Sequence, residues 1–281
     1  MDKEYIHSFI VNALAEDVGD GDHTSLATIP AGTQGKAKLL VKDTGILAGV
    51  DLALEIFNEV DTDLKVNVLL GDGAEIKPKD IVLEVEGDAQ SILTAERLVL
   101  NCMQRMSGVA TKTHEIVELL KGTGTKVLDT RKTTPGMRYL EKWAVKIGGG
   151  VNHRFGLFDM ILIKDNHVDY SGGIKQAIQN TKDYLQRTGK KLAIEIEVRN
   201  LAELQQVLDT GGIDRILLDN FNFDDLRKAV NIVGRKYDTE ASGGITIDNI
   251  REYAKCGVDY ISVGALTHSV KSLDLSLKAV R

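Results

Sequence analysis

Between Leu128 and Val168 the chain reads LDTRKTTPGMRYLEKWAVKIGGGVNHRFGLFDMILIKDNHV, with seven Lys/Arg and two His against four Asp/Glu. The whole chain runs the other way, with 35 Lys/Arg against 41 Asp/Glu and a formal net charge of −6. Cations gathered in one stretch of an acidic protein need negative partners to offset their desolvation, which points to a pocket for an anion. A solvated basic face is the bland alternative. Arginine grips carboxylates and phosphates with a bidentate fork, while lysine acts as a point charge.

Polar residues recur directly after short apolar runs, namely KVLDT, MILIKD, LAIEIEV, RILLDN, TEASGG and YISVGA. The first run ends in Asp129-Thr130-Arg131-Lys132 and the second in Lys164-Asp165-Asn166-His167. The third holds Glu195 and Glu197, two apart and therefore on one side of a strand. The fourth ends in Asp219-Asn220, the fifth in Ser242-Gly243-Gly244 and the sixth in Gly264-Ala265. Glu197 and Asp219, at neighbouring strand ends, can share a divalent cation. Hard oxygen donors and few protein ligands point to Mg²⁺, held partly by substrate phosphates. The bare backbone N–H groups of the glycine-rich ends suit a phosphate. Taken singly, Asp219 and Asp165 read equally well as helix caps or ion-pair partners, and His153 as a structural histidine. Taken together, the cations, the acid pair and the phosphate nests describe an enzyme acting on a phosphorylated molecule and a second anion.

These runs alternate with helical patterns over 174–188, 201–209, 223–233 and 247–256, which marks βα units and a parallel sheet. Near-continuous apolar strands fit a sheet covered on both faces. No GxGxxG follows the first strands, so an incomplete βα (TIM-like) barrel is favoured over a dinucleotide fold, with its chemistry at the C-terminal strand ends. The first third reads differently. A helix is predicted over 3–17, with Ile6, Ile10, Val11 and Leu14 on one face. GDGDHTS reads as a turn-rich acidic loop, in which Glu16, Asp17 just before it and His23 serve caps and domain contacts. Strands are predicted within 35–50 and 64–86 around a helix over 51–60, giving a mostly antiparallel sheet. A long helix over 91–120 is predicted to break near Ser107-Gly108. The fold class is therefore α/β, with an N-terminal α+β open-sandwich domain over 1–110, joined by the tail 270–281, and the barrel over 111–269.

Bulk properties narrow the function. A net negative charge argues against nucleic acid as the main partner. No apolar run approaches the ~20 residues of a membrane span, and the amphipathic N-terminus lacks a signal-peptide core. Cys102 and Cys256 form no CxxC motif and no disulfide framework, which fits a reducing cytoplasm and a packing role.

DTRKTTPGMR, GGGVNHRFGLFDMILIKDNH, EIEV, ILLDNF, EASGGI and GVDYISVGALTHSV resemble the quinolinate phosphoribosyltransferases, also called nicotinate-nucleotide diphosphorylases (carboxylating). AERLVLNCMQRMSGVAT and EDVGDGDHTS are similar to the same family, so the resemblance runs over nearly the whole chain in the expected order. It implies an N-terminal sandwich packed on an incomplete barrel, and a homodimer or higher oligomer whose active sites are completed by the neighbour. The implied reaction takes quinolinate and phosphoribosyl pyrophosphate, with Mg²⁺, to nicotinate mononucleotide, pyrophosphate and carbon dioxide, within NAD biosynthesis. Arg131, Lys132, His153 and Arg154 are then implied as holders of the quinolinate carboxylates, with Thr130 beside them. Arg105 is implied to reach the neighbouring subunit's pocket. Lys132 and Lys164 would face the phosphoribosyl and pyrophosphate oxygens. Glu197 and Asp219 would take the Mg²⁺–ribose side, so that Lys132, Lys164, Glu197 and Asp219 carry the catalysis. Ser242, Gly243, Gly244, Val263, Gly264 and Ala265 would cradle the 5′-phosphate. Two rivals share these residues: a phosphoribosyltransferase for another pyridine carboxylate, and a non-catalytic phosphate- or nucleotide-binding barrel.

Overall fold

The computed structural model describes residues 3–280. Helix α1 (Lys3–Val18) buries Ile6 and Ile10, as their i, i+4 spacing requires. Val11, expected on the same face, is instead exposed. The acidic loop after α1 is shorter than its composition suggests. Asp22 accepts from the Ser25 N–H at 3.0 Å and caps α2 (His23–Thr28), an Asp-x-x-Ser start signal within the GDGDHTS stretch.

Next come β1 (Gln34–Val41), β2 (Gly45–Ile46), α3 (Val50–Val60), β3 (Lys65–Val68), β4 (Glu75–Ile76) and β5 (Ile81–Asp88). The long helix α4 (Ala89–Leu120) then runs unbroken for 32 residues. The predicted break at Ser107-Gly108 does not occur. The Ser107 hydroxyl accepts from the Ala48 N–H at 2.9 Å and donates to the Ala48 carbonyl at 3.2 Å, so this serine serves packing. A Cβ on Gly108 would run into the Lys271 carbonyl, so the glycine is there for close approach of backbone, not for a kink.

The remaining elements are β6 (Lys126–Leu128), α5 (Arg138–Ile147), β7 (Ile161–Ile163), α6 (Asp165–Ser171), α7 (Ile174–Thr188), β8 (Ile194–Val198), α8 (Leu201–Thr210), β9 (Arg215–Asp219), α9 (Phe223–Val233), β10 (Asp238–Ser242), α10 (Ile250–Lys255), β11 (Tyr260–Ser262), α11 (Ala265–His268) and β12 (Leu275–Ala279).

The chain divides into two compact units. The first takes residues up to His114, Thr134–Gly149 and the chain from Ser269. It holds an antiparallel sheet in the order β12-β1-β5-β3, with a separate β2-β4 pair. The C-terminal strand β12 pairs with β1 through Leu39↔Leu277 and its neighbours. Thr134–Gly149, which the sequence reading placed within the barrel segment 111–269, packs in this first unit instead: Leu140, Ala144 and Val145 of α5 are fully buried there.

The second unit takes Glu115–Thr133 and Gly150–His268. Its sheet has six parallel strands in the order β6-β11-β10-β9-β8-β7. A single parallel bridge, Leu128↔Val151, extends it beyond β6. Among the described residues no ladder joins β6 to β7, so the sheet stays open, as an incomplete barrel requires. From β7 onward each strand feeds a helix, and alternation along the strands sorts the faces. Ile194, Ile196, Val198, Ile216, Leu218 and Ala241 are buried on the apolar side.

Gly108→Ala should cost about 1–3 kcal/mol through overpacking. Urea unfolding monitored by circular dichroism checks this, with the midpoint falling at constant slope.

Candidate active site

The polar positions of the parallel sheet share one face by register. Leu162 pairs with Glu195, and Glu195 with Arg215. Glu197 pairs with Leu217, Leu217 with Glu240, and Glu240 with Tyr260. Asp219 pairs with Ser242. In a parallel sheet partners in register point the same way, so these residues form the inner face.

At the C-terminal end of that face lies a cavity of about 320 Å³. Thr130, Arg131, Lys132, His153, Arg154 and Lys164 line it, together with Ser242, Leu162, Leu217, Glu240 and Ser262. Four of the seven Lys/Arg of the 128–168 stretch therefore converge on one concavity. The other three, Arg138, Lys142 and Lys146, lie on α5 in the first unit. Burial, followed by the neighbouring positive charge of Arg131, lowers the Arg154 guanidinium below its ordinary value. Two guanidiniums held close enough to perturb each other are a receptor for negative charge.

The corner that carries these cations is fastened from several sides. Buried Asp129 accepts from the His153 N–H at 2.9 Å, and the Thr130 hydroxyl accepts from the Lys132 N–H at 3.0 Å. The Thr267 hydroxyl donates to the Lys132 carbonyl at 2.8 Å. A Cβ on Gly264 would lie 3.1 Å from the Lys132 side chain, which brings the end of β11 against that lysine. Lys164 lies 3.2 Å from Glu197 Oε2. Burial raises the Glu197 carboxyl above its ordinary range; Lys164 opposes that shift and the charge of Asp219 adds to it. Glu197 and Asp219 thus feel each other across neighbouring strand ends, although neither lines the cavity wall. Past β10, Gly243 and Gly244 have φ of +93° and +61°, and a Cβ on Gly243 would collide with Asn220. Left-handed φ at two successive positions is a turn that glycine accommodates without strain, which leaves bare backbone at the end of β10. Val263 continues the ladder, its N–H donating to the Leu128 carbonyl at 2.9 Å, and Gly264 and Ala265 follow it at the end of β11.

His153 sits differently from a simple carboxylate holder. Its Nδ1 accepts from the Arg154 N–H at 2.7 Å. Its Nε2 lies 3.0 Å from Glu195 Oε2 and 3.5 Å from Glu240 Oε2, both fully buried. Both ring nitrogens therefore have protein neighbours inside the floor of the cavity. Arg215 Nη1 approaches Glu240 Oε2 at 3.1 Å while its guanidinium stacks 4.2 Å over Tyr260. Burial, then the charge of Glu195, pushes the Glu240 carboxyl up to about 7. Glu240 and Ser262 belong to the site without having been singled out in the sequence. The signal was the alternation in DTEAS, which puts Glu240 on the face of Ser242.

Arg105 belongs to the first unit. Its Nε and Nη2 reach Glu141 Oε1 at 3.0 and 2.7 Å, and its Nη1 donates to the Val270 carbonyl at 3.2 Å. It lines a separate cavity of about 790 Å³ together with Tyr5, Asn101, Thr134 and Gly136. Cys102 is buried, and burial pushes its thiol up to about 12, so it is inert packing.

An open parallel βα sheet with a cationic cavity at its C-terminal edge defines an α/β enzyme for anionic substrates. Comparison with known proteins makes this specific. The chain matches the family description "Quinolinate phosphoribosyl transferase, N-terminal domain" over residues 22–107 and "Quinolinate phosphoribosyl transferase, C-terminal domain" over residues 109–278. It is 44% identical to quinolinate phosphoribosyltransferase [decarboxylating] 2a, mitochondrial, of Nicotiana tabacum, over 95% of this chain and 80% of that one. It is 42% identical to the probable nicotinate-nucleotide pyrophosphorylase [carboxylating] of Bacillus subtilis, over 93% and 89%. The solved nicotinate-nucleotide pyrophosphorylase of Francisella tularensis superposes with a TM-score of 0.93 at 39% identity, over 100% and 98% of the two chains. The chain belongs to the quinolinate phosphoribosyltransferase family.

The floor makes stability depend on pH with a definite sign. Glu240 has a folded pKa of about 7, above the ordinary 4.5. A raised carboxyl favours the fold fully at low pH and loses that advantage as pH climbs through the folded value. Stability should therefore decline as pH rises across this window, and Glu240→Gln should flatten the decline. Denaturant unfolding below and above the window measures both slopes.

Proposed function

We infer that this chain transfers the phosphoribosyl group of phosphoribosyl pyrophosphate to quinolinate, with loss of carbon dioxide, to give nicotinate mononucleotide and pyrophosphate for NAD biosynthesis. The observation that carries this reading is the convergence of Arg131, Lys132, His153, Arg154 and Lys164 on one cavity. Quinolinate is a planar aromatic dianion, and such a ring of cations offsets two carboxylates at once. Arg131 and Arg154 grip the carboxylates, with Lys132 supporting them, and Thr130 and Asp129 keep the corner in shape. His153 keeps its nitrogens in the floor and holds Arg154 in place through its backbone contact. Ser242, Gly243 and Gly244 on one side, and Gly264 and Ala265 on the other, offer their N–H groups to the 5′-phosphate, while Val263 anchors the second turn through its N–H to the Leu128 carbonyl.

As pyrophosphate leaves the ribose, positive charge grows at C1. Glu197 or Asp219 offsets that charge, while Lys132 and Lys164 meet the departing oxygens. The cations aim the pyridine nitrogen at C1, which removes much of the entropic barrier. Once alkylated, the ring nitrogen draws electrons, and the adjacent carboxylate leaves as carbon dioxide. Glu197 and Asp219 are the pair we assign to Mg²⁺: two hard oxygen donors at neighbouring strand ends, close enough to perturb each other. The metal supplies neutralisation of the pyrophosphate oxygens when bound.

We further assign a homodimer or higher oligomer in the cytoplasm, with Arg105 donated to a neighbouring subunit's pocket. Glu141 and the Val270 carbonyl hold the guanidinium in one direction, which favours a fixed role for it. No helix among the described residues is long and apolar enough to cross a membrane.

Incubation with quinolinate, phosphoribosyl pyrophosphate and Mg²⁺ should release pyrophosphate and carbon dioxide in equal amounts, and chelation of the metal should stop both. Nicotinate in place of quinolinate should give neither product at a comparable rate; equal turnover of nicotinate would assign the chain to the other pyridine carboxylate. Arg131→Ala should slow turnover on the order of 10²–10³-fold. Arg105→Ala and Arg131→Ala, each inactive alone, should recover about a quarter of wild-type activity when mixed and reassembled, since a mixed dimer keeps one intact site.

A further inference from the structure

Glu141 stands on α5 among the buried Leu140, Ala144 and Val145, and its side chain has no exposed surface. A carboxyl group taken out of water destabilises the fold unless donors surround it. Four donors reach this one. Oε1 accepts from Arg105 Nε at 3.0 Å, from Arg105 Nη2 at 2.7 Å and from the Thr134 hydroxyl at 2.8 Å. Oε2 accepts from the Thr134 N–H at 3.1 Å. The Thr134 hydroxyl in turn lies 3.5 Å from Arg105 Nη2. Helix α4, the turn before α5 and α5 itself therefore meet on one acid, all within the first unit.

This arrangement fixes the guanidinium in two directions. Its Nε–Nη2 edge faces Glu141, and its Nη1 donates to the Val270 carbonyl at 3.2 Å. A planar fork held along one edge and at its third nitrogen cannot swing about its stem. An unrestrained arginine spreads over many rotamers, and ordering it at the moment of binding weakens its grip on a ligand. The two partners differ in access. Arg105 keeps 18% of its side-chain surface exposed, while Glu141 keeps 0%. Arg105 lines the cavity of about 790 Å³ in the first unit, and Glu141 is sealed behind it. An ion pair that served packing alone would gain nothing from leaving its base at a cavity wall. Here the acid is hidden and the base is presented.

We propose that Glu141 is a positioning residue for Arg105: it holds the guanidinium pre-formed to grip a carboxylate of quinolinate, and Thr134 locks the acid in place. This rests on the role inferred above for Arg105. Glu141 then works together with the donated arginine, and not with Arg131, Lys132, Arg154 and Lys164 of its own chain's cavity.

A double-mutant cycle in the full-length enzyme tests this. Glu141→Ala should lower kcat/KM for quinolinate by about 10²-fold, the scale of a misplacement of about 1 Å. The loss should lie chiefly in the KM for quinolinate, with the KM for phosphoribosyl pyrophosphate within about twofold of wild type. Added to Arg105→Ala, the same substitution should change activity by no more than about twofold, because the acid acts only through the arginine. Reassembly of mixed oligomers gives an independent readout. Glu141→Ala mixed with Arg131→Ala should recover about a quarter of wild-type activity, and mixed with Arg105→Ala it should recover none. If Glu141→Ala does not fold, Glu141→Gln keeps the volume, turns an amide N–H₂ toward the donors, and is measured in the same three ways. Wild-type kinetics, equal losses for both substrates, additive losses in the cycle, or recovery with Arg105→Ala would each overturn the proposal. If Arg105→Ala and Arg131→Ala fail to restore each other, donation of Arg105 across subunits fails as a separate result. The cycle alone then decides whether Glu141 acts through Arg105.

Discussion

Positive charge gathered at the C-terminal edge of a parallel sheet is the constraint on which this molecule turns. Arg131 and Arg154 stand close enough to depress one of the pair, and Lys132 and Lys164 share their cavity. Like charges gathered around a small volume repel, and an anion bound among them relieves that repulsion. Short, well-anchored connections bear it. Asp129, Thr130 and Thr267 fix the backbone of the corner, and Glu197 restrains Lys164.

Beneath the cations lies a second layer, the buried acids Glu195 and Glu240 with His153 and Arg215 against them. The sheet sets both layers by the same device. Alternate residues along β8, β9 and β10 point inward, so acids low on the strands make the floor while strand ends and following turns make the rim. A positive rim above an acidic floor sorts opposite charges into two layers of one cavity.

Much of this was legible in the residues. IEIEV and RILLD state both the strand and its polar face, and the residues after each run fell where a parallel sheet keeps its chemistry. The outer helices α7 and α9 followed from periodicity with their ends intact. What stayed hidden was non-local or sterically set. Pairing of β12 with β1 joins residues at opposite ends of the chain, and no local pattern announces it. Gly108 looks like a helix breaker until the Lys271 carbonyl is seen against it. Helix α5 carries Leu140, Ala144 and Val145 at helical spacing, yet its cations drew attention to the wrong unit. Glu240 sat inside TEASGG, where an apolar-run reading hides a single acid; its partners come from three other strands and a loop.

The central claim is that the cavity is built for two negative charges on one flat ring. Calorimetric titration of phthalate against benzoate, an aromatic dicarboxylate against a monocarboxylate of similar shape, tests it most directly. The account predicts that phthalate binds at least about tenfold more tightly, roughly 1.4 kcal/mol, with the advantage shrinking as salt rises. Equal affinity for the two acids at low salt would contradict it.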